Sequence, residues 1–441
     1  MVDRPEPPPT TTGGDWPRRM YTVVVYLMLP FALLRLFVRG IRAPDYWHRW
    51  RERFGLIEPV PSGGVWLHAV SVGEVQAVVP LVRELRKLNP EMPVTVTTTT
   101  PTGWRRVVEA MGEGVVHRFT PYDAPFAVRK FLERVRPRCV IIVETEIWPN
   151  LLAECRRRSV PVALANARLS QRSARGYARF PRLIRAALNA FSLIAAHDEP
   201  DAQRFRDLGA TEGIVRVTGN IKFDQPLPAS RREQSQALRR ALGLDGHVWI
   251  AASTHEGEDE QILAAFGKVR SRVADCRLIL VPRHPERFAR VGQLVSRHGF
   301  ETVLRSEQRP CAATTEVFVL DSMGELPLFY GLADLAFVGG SLVRGGGHNV
   351  LEPAALGVPV LFGPHMFNFA GIARVLLDGE GAREVRGVDE LSSIVIGWFE
   401  NPAERSRFGD NARAVVARNR GALGRLLAAL RPLIRDQSIS A

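Results

Sequence analysis

The chain has 441 residues and carries 59 Lys+Arg against 46 Asp+Glu, a formal net charge of +13. Hydrophobic residues at 46% and charged residues at 24% exclude wholesale disorder and a polytopic membrane protein, and the length calls for at least two domains with cores of their own. The positive balance favours an anionic partner: nucleic acid, a membrane surface or a phosphorylated substrate.

Residues 1–15 are rich in Pro, Thr and Gly and are expected to be disordered, with the tail reaching residue 19. Met20 to Val38 is almost wholly apolar, interrupted by Pro30 and Arg35. As a helix this stretch would reach roughly 28 Å, about the thickness of a hydrocarbon core. No small-residue cleavage site follows, which argues against a signal peptide. A spanning anchor over residues 20–40, an interfacial helix and a buried helix all fit the pattern. Arg39, Arg42, Arg49, Arg51 and Arg53 follow as a basic cluster that would keep the rest of the chain on the cytoplasmic face.

From Gly64 the pattern becomes strand, loop, helix, repeated. Val65–Val70, Val94–Thr98, Val140–Val143, Val162–Ala165 and Leu193–Ala196 read as buried strands. Helix-period stretches such as Glu74–Leu88 and Pro125–Val135 lie between them. After Thr218 a Pro-containing segment reads as a linker. The alternation then restarts with Trp249–Ala252, Leu278–Val281, Val317–Leu320, Leu335–Val338 and Val358–Leu361. The expected fold is α/β: two Rossmann-like domains, over 41–222 and 223–441, facing a cleft, behind an N-terminal hydrophobic anchor helix. Ligand sites in such sheets lie beyond the carboxyl ends of the strands.

The residues following each strand are therefore the candidates. Ser71 and Glu74 have the spacing of a capping box, so Glu74 either caps its own helix or serves as a general base at the site mouth. Glu144 and Glu146 directly follow a buried strand, where a carboxylate is costly unless paired or used. Neither has a His or a third carboxylate nearby in sequence, so no metal is expected. Lys222 stands out because only four of the basic residues are lysines. It is either a solvated surface charge or a point charge for a phosphate. Arg283 and His284 precede Pro285, which suits the first turn of a helix. The run Gly339 to Pro353 is the strongest local signal, since its glycines allow close backbone approach and Asn349 can cap the next helix. It matches neither a P-loop nor G-x-G-x-x-G. Four isolated cysteines, Cys139, Cys155, Cys276 and Cys311, suggest neither zinc nor disulfides and fit a reducing compartment.

Residues 151–190 hold nine arginines and one acid, so +8 of the net charge falls in 40 residues. Aromatics are sparse there, which disfavours nucleic acid. Lipid headgroups or a phosphorylated lipid suit Arg172, Arg175, Arg179, Arg182 and Arg185 better.

Together these segments resemble the bacterial Kdo transferase family, which adds 3-deoxy-D-manno-octulosonic acid to the lipid A precursor. The resemblance rests on the apolar anchor, His68–Glu74, Thr97–Gly103, Glu144–Asn150, Ala165–Ser170, Gly219–Asp224, Ser253–Glu258, Val281–Arg287, Asp321–Glu325 and Gly339–Glu352 in this order. It implies a B-type glycosyltransferase fold, a CMP-Kdo donor, a lipid A precursor as acceptor, no cofactor, and a place on the cytoplasmic face of the inner membrane. It further implies that Glu74 is the base and that Glu144 and Lys222 are catalytic-site residues. Pro282, Arg283, Met323, Gly324, Glu325, Asn349, Val350, Leu351 and Glu352 would line the CMP site. Two other readings compete: a membrane-associated transferase using a UDP-sugar, and a non-catalytic basic protein of membranes or nucleic acid.

Overall fold

A computed structural model describes residues 16–224 and 230–434. The expected disordered tail over 1–15 lies outside them, but residues 16–19 are helical and extend the expected apolar helix to Trp16–Arg42. The chain divides into two compact units. One comprises residues up to Gln225 together with those from Gly421 on, and the other comprises Pro226–Arg420.

The first unit is a seven-stranded sheet with the order β3-β2-β1-β4-β5-β6-β7. Its strands are β1 Val65–His68, β2 Val94–Thr98, β3 Val116–Phe119, β4 Cys139–Val143, β5 Val162–Ala167, β6 Leu193–Ala196 and β7 Val215–Val217. All pairs are parallel; Val65, for instance, stands opposite both Val94 and Cys139. Parallel strands need helical crossovers that cover both faces, so their residues are apolar on both sides. Trp66, Val140, Ile142 and Leu164 pack into one core layer, while Leu67, Ile141, Val143 and Ala163 pack into the other.

The second layer contains a correction. The expected second domain ran to residue 441, but Ala422, Leu426 and Leu430 are buried in the core of the first unit. They belong to helix Ala422–Ile434, whose apolar stripe finds the uncovered face of the first sheet. Of the expected linker after Thr218, residues 225–228 lie outside the described residues, and the part before them is no linker. Ile221–Asp224 is a 3₁₀ turn with Ile221 and Phe223 buried, and it is an integral part of the first unit.

Helix Trp16–Arg42 is long and apolar enough to cross a membrane. Near its start it is pinned to the first unit. The Tyr21 hydroxyl donates to Asp123 Oδ2 (3.0 Å), and Thr22 Oγ1 donates to Asn150 Oδ1 (2.9 Å). Beyond this point Leu27, Met28, Phe31, Leu34, Phe37, Val38 and Ile41 are exposed. At its far end Gly40 lies beneath the Trp47 indole, where a β-carbon would collide with the ring. Of the basic cluster that follows, Arg53 is not a surface charge. It is buried over the Phe119 ring and donates to the Thr99 carbonyl (2.9 Å).

The second unit repeats the architecture with strands β8 His247–Thr254, β9 Cys276–Pro282, β10 Thr302–Leu304, β11 Val317–Val319, β12 Leu335–Val338, β13 Val360–Phe362 and β14 Ala382–Glu384. Their order is β10-β11-β9-β8-β12-β13-β14, again all parallel. In each sheet the crossovers reverse direction beside the first strand of the unit. This happens between β1 and β4 in the first sheet and between β8 and β12 in the second. Such switch points open a crevice at the strand ends.

Candidate active site

At the first switch point, β1 runs into Ser71, the N-cap of helix Val72–Leu88. The Glu74 amide donates to Ser71 Oγ (3.3 Å), and the Glu74 carboxylate accepts from Ser71 Oγ (2.9 Å) and from the Val70 amide (2.8 Å). Glu74 is therefore a cap, but one under strain. Burial, reinforced by the charges of Glu144 and Glu146, pushes its pKa from 4.5 up to about 7 against the pull of those hydrogen bonds.

β4 ends in Glu144, which adopts a left-handed conformation (φ 63°) while its amide still donates to Ala165 O (3.0 Å). This turns the side chain out of the sheet, where it meets Lys222 Nζ at 2.7 Å. The two side chains are only 19% and 16% exposed. Glu146 leaves this pair and accepts from Trp148 Nε1 (2.6 Å), with its pKa raised mainly by burial.

Lys222 is held by a relay of local contacts. Asn166, left-handed at a bulge of β5, accepts the Ile221 amide on its side-chain oxygen (3.0 Å). Asp224 accepts the amides of Gly421 (2.6 Å) and Leu423 (2.5 Å), which ties the turn to the start of the C-terminal helix. Beside Lys222 lies His197, at the end of β6. Burial, together with the charges of Lys222 and Arg168, lowers it to about 3, so it is a neutral imidazole.

At the second switch point, Glu258 is fully buried and accepts four backbone amides. They belong to His255 (2.9 Å), Gly340 (2.6 Å), Ser341 (2.9 Å) and Leu342 (2.8 Å). It thereby stitches the loop after β8 to the loop after β12. Over that seam, His255 Nε2 and His348 Nε2 stand 2.8 Å apart. Arg287 is engaged by Asp259 and the Thr254 carbonyl, whereas Arg283 stands next to the imidazoles.

The family model described as 3-deoxy-D-manno-octulosonic-acid transferase (kdotransferase) matches residues 48–225. A 3-deoxy-D-manno-octulosonic acid transferase of Haemophilus influenzae is 40% identical over 421 residues, covering 95% of this chain and 99% of its own. The chain belongs to the 3-deoxy-D-manno-octulosonic acid transferase family. The Bordetella pertussis transferase is 36% identical over 430 residues, covering 94% of this chain and 98% of its own. Among solved structures, the UDP-GlcNAc 2-epimerase of Neisseria meningitidis aligns with a TM-score of 0.57 at 14% identity, covering 84% of this chain and 100% of that one. That likeness concerns the fold alone.

In this member of the transferase family, the sequence candidates fall into three groups. Glu74, Glu144 and Lys222 converge at the first switch point. Pro282 ends β9 and Arg283 follows it, its amide donating to Thr254 O (3.0 Å). Met323 is 59% exposed, and Gly324 has φ 88°. Glu325 is bound by Arg305 (3.0 Å) and by Ser322. Burial opposes ionisation of Glu325, but these hydrogen bonds win and lower its pKa. Asn349 bridges to Glu352 (3.0 Å) and accepts the Leu351 amide (3.1 Å), so it caps helix Leu351–Leu356 from one residue before the N-cap. Val350 and Leu351 are buried, which leaves their backbone as what they can offer a ligand. Arg172, Arg175, Arg179, Arg182 and Arg185 are all exposed, and Phe180 among them is 63% exposed.

The first part of the Gly339–Glu352 run does not offer its amides to a ligand. The amides of 340, 341 and 342 are spent on Glu258, and Gly347 donates to Gly340 O (2.8 Å). Sequence reasoning passed over Glu258, His197, Asn166 and the pairing of His255 with His348. Position directly after a strand would have flagged His197 and His255, but no local signal marks the pairing.

Proposed function

We propose that this chain is an inverting glycosyltransferase that moves Kdo from CMP-Kdo to a hydroxyl of the lipid A precursor in lipopolysaccharide synthesis. The observation that carries the mechanism is the Glu74 carboxyl, raised to about 7 in the company of the Glu144–Lys222 ion pair. A base of that strength takes the proton of the attacking hydroxyl as its oxygen closes on the anomeric carbon. The bond from that carbon to the phosphate oxygen breaks, its electron pair stays on the phosphate, and CMP departs. Attack from the face opposite the leaving group inverts the anomeric centre. Glu74 then returns its proton to solvent.

Lys222 supplies positive charge where negative charge develops in the transition state, and Glu144 fixes where that charge stands. A flexible lysine would lose this benefit in reordering, so the 2.7 Å pair matters for geometry as much as for charge. Pro282, Arg283, Met323, Gly324, Glu325 and Asn349–Glu352 are assigned to the nucleotide of the donor.

The same proposal assigns the chain to the cytoplasmic face of the inner membrane. An apolar helix with exposed Leu27, Phe31, Leu34 and Phe37 supports it, as do the exposed arginines of 172–185, which suit lipid phosphates. The deciding experiment is incubation of the purified chain with CMP-Kdo and a tetraacylated lipid A precursor, followed by mass analysis of the lipid. Addition of one or more Kdo residues with release of CMP is the expected result, and an unmodified lipid overturns the proposal. Calorimetry with CMP and UDP distinguishes the UDP-sugar alternative.

A further inference from the structure

Two imidazole nitrogens 2.8 Å apart cannot both carry a proton and cannot both be bare. One ring donates an Nε2–H and the other accepts it. In this chain the arrangement is imposed by the scaffold. Glu258 fixes the backbones of both loops through its four amide contacts. Gly340, at φ 66°, forms the floor under both rings. A β-carbon there would stand 3.1 Å from His348 Nε2 and 3.3 Å from His255 Cδ2. The ring planes differ by 24° and the centroids lie 5.0 Å apart, so the rings meet end to end through their Nε2 atoms, and His284 meets the His255 ring edge-on at 5.4 Å.

The surroundings are positive. His348 faces Arg283, His255 and His284, and burial together with these neighbours lowers it to about 3. His255 faces Glu258, His284, Arg287 and Arg283. Burial leads in lowering it, Glu258 pulls the other way, and the cationic side prevails. Glu256 and Arg290, also near this loop, form an exposed pair with each other (2.7 Å). The free pair is therefore neutral at pH 7, one ring carrying its proton on Nε2 and the other on Nδ1. Three of the amides that a glycine-rich loop offers an anion, those of Gly340, Ser341 and Leu342, are held by Glu258.

We propose that the His255–His348 pair is the phosphodiester contact of the second unit. The two rings part when the nucleotide binds, one proton is taken from solvent, and each ring directs an Nε2–H to a phosphate oxygen. The proton balance closes. The free pair holds two protons, one per ring, and the bound pair holds three, so its charge of +1 meets the −1 of the diester. Arg283 adds a second cation beside it. This rests on the assignment of the CMP-linked donor to the second unit and deepens it, since none of the expected CMP residues includes either histidine.

The test is calorimetric titration of the full-length chain in detergent with the methyl ester of cytidine 5′-monophosphate. This diester does not titrate near neutral pH, so any proton taken up goes to the protein. Measured at pH 7.5 in PIPES and in Tris, the binding heat of the unaltered chain should differ by the uptake of close to one proton. His255→Gln and His348→Gln should each weaken the ester by about tenfold or more and abolish the buffer dependence. Cytidine, which lacks the phosphate, should bind all three proteins equally and reports that the variants are folded. Buffer-independent heat in the unaltered chain overturns the proposal. So does unchanged ester affinity in the variants, or an equal loss of cytidine and ester binding. If the unaltered chain binds neither ester nor cytidine, the donor assignment itself fails and the proposal falls with it.

Discussion

Replacing Glu74 with glutamine keeps the size of the side chain and removes its ability to take a proton. The carboxyl is moved from 4.5 to about 7, by burial first and by the charges of Glu144 and Glu146 after it. A displacement of that size means that its neutral form is favoured by about 3.5 kcal/mol more than in an exposed carboxyl. The consequence for rate is a loss. The base must be ionised to act, so kcat/KM of the unaltered enzyme should rise with pH through about 7. Glu74→Gln should lose that rise and fall by about 10²–10⁴. The consequence for stability has the opposite sign. A carboxyl whose pKa is raised on folding contributes stability below its unfolded value of 4.5 and loses it as pH rises through about 7. At pH 8 the ionised group costs the fold up to about 3 kcal/mol. Glutamine escapes that cost but keeps only one of two acceptor oxygens, a loss of about 1 kcal/mol. The net gain of roughly 1–2 kcal/mol should raise the melting transition of the first unit by about 2–6 °C at pH 8. The assay is initial rate against pH from 5.5 to 9 with CMP-Kdo and lipid acceptor, alongside thermal melts at pH 5.5 and 8. Glu144→Gln, which removes a like charge, should shift the acid limb to lower pH. A Glu74→Gln enzyme that keeps more than a third of the rate, or the same acid limb, refutes the assignment of the base.

Lys222→Met should lower kcat by on the order of 100-fold and move the acid limb upward, because the charge of Glu144 is then uncompensated beside Glu74; an unmoved limb would show that the lysine acts elsewhere. Changing Arg172, Arg175, Arg179, Arg182 and Arg185 together to serine should raise the KM for the lipid acceptor several-fold and leave CMP affinity unchanged, as read by kinetics and calorimetry. Leu430→Ala should destabilise the first unit by about 2–4 kcal/mol. Protease sensitivity confined to residues of Pro226–Arg420 would contradict that expectation. Tyr21→Phe should cost about 1 kcal/mol, since Asp123 keeps the Asn150 and Leu151 amides, and its effect should appear as a lowered melt in detergent.

Strands were legible where they are interior. Leu193–Ala196 and Leu335–Val338 are apolar because they are covered on both faces, Val94–Thr98 buries three threonines beside its valines, and the bounds of all three agree with expectation. The strands that escaped notice are β3, β7, β10 and β14, the outermost strand on each side of each sheet. Edges carry polar residues such as His117, Arg118, Arg216, Arg383 and Glu384, which erase the apolar run. At the site, position after a strand pointed to Glu74 and Glu144. The reason Lys222 stands where it does was not legible, because Asn166 and Asp224 hold it across 55 residues to one side and 197 to the other. The His255–His348 pairing, 93 residues apart, escaped for the same reason. The amphipathic stripe of Ala422–Ile434 announced a helix but not which sheet it would cover.

That last helix has a consequence for how the chain is made. The first unit is complete only when residues from Gly421 on have covered its sheet, so its core is built from segments on both sides of the second unit. A ribosome working at 5–20 residues per second spends roughly 10–40 s on the intervening unit. Throughout that interval helix Trp16–Arg42 has emerged, while the first sheet shows an apolar face to solvent. The first unit therefore matures last although its strands are translated first. Truncations near the carboxyl terminus should accordingly strike the opposite end of the sequence.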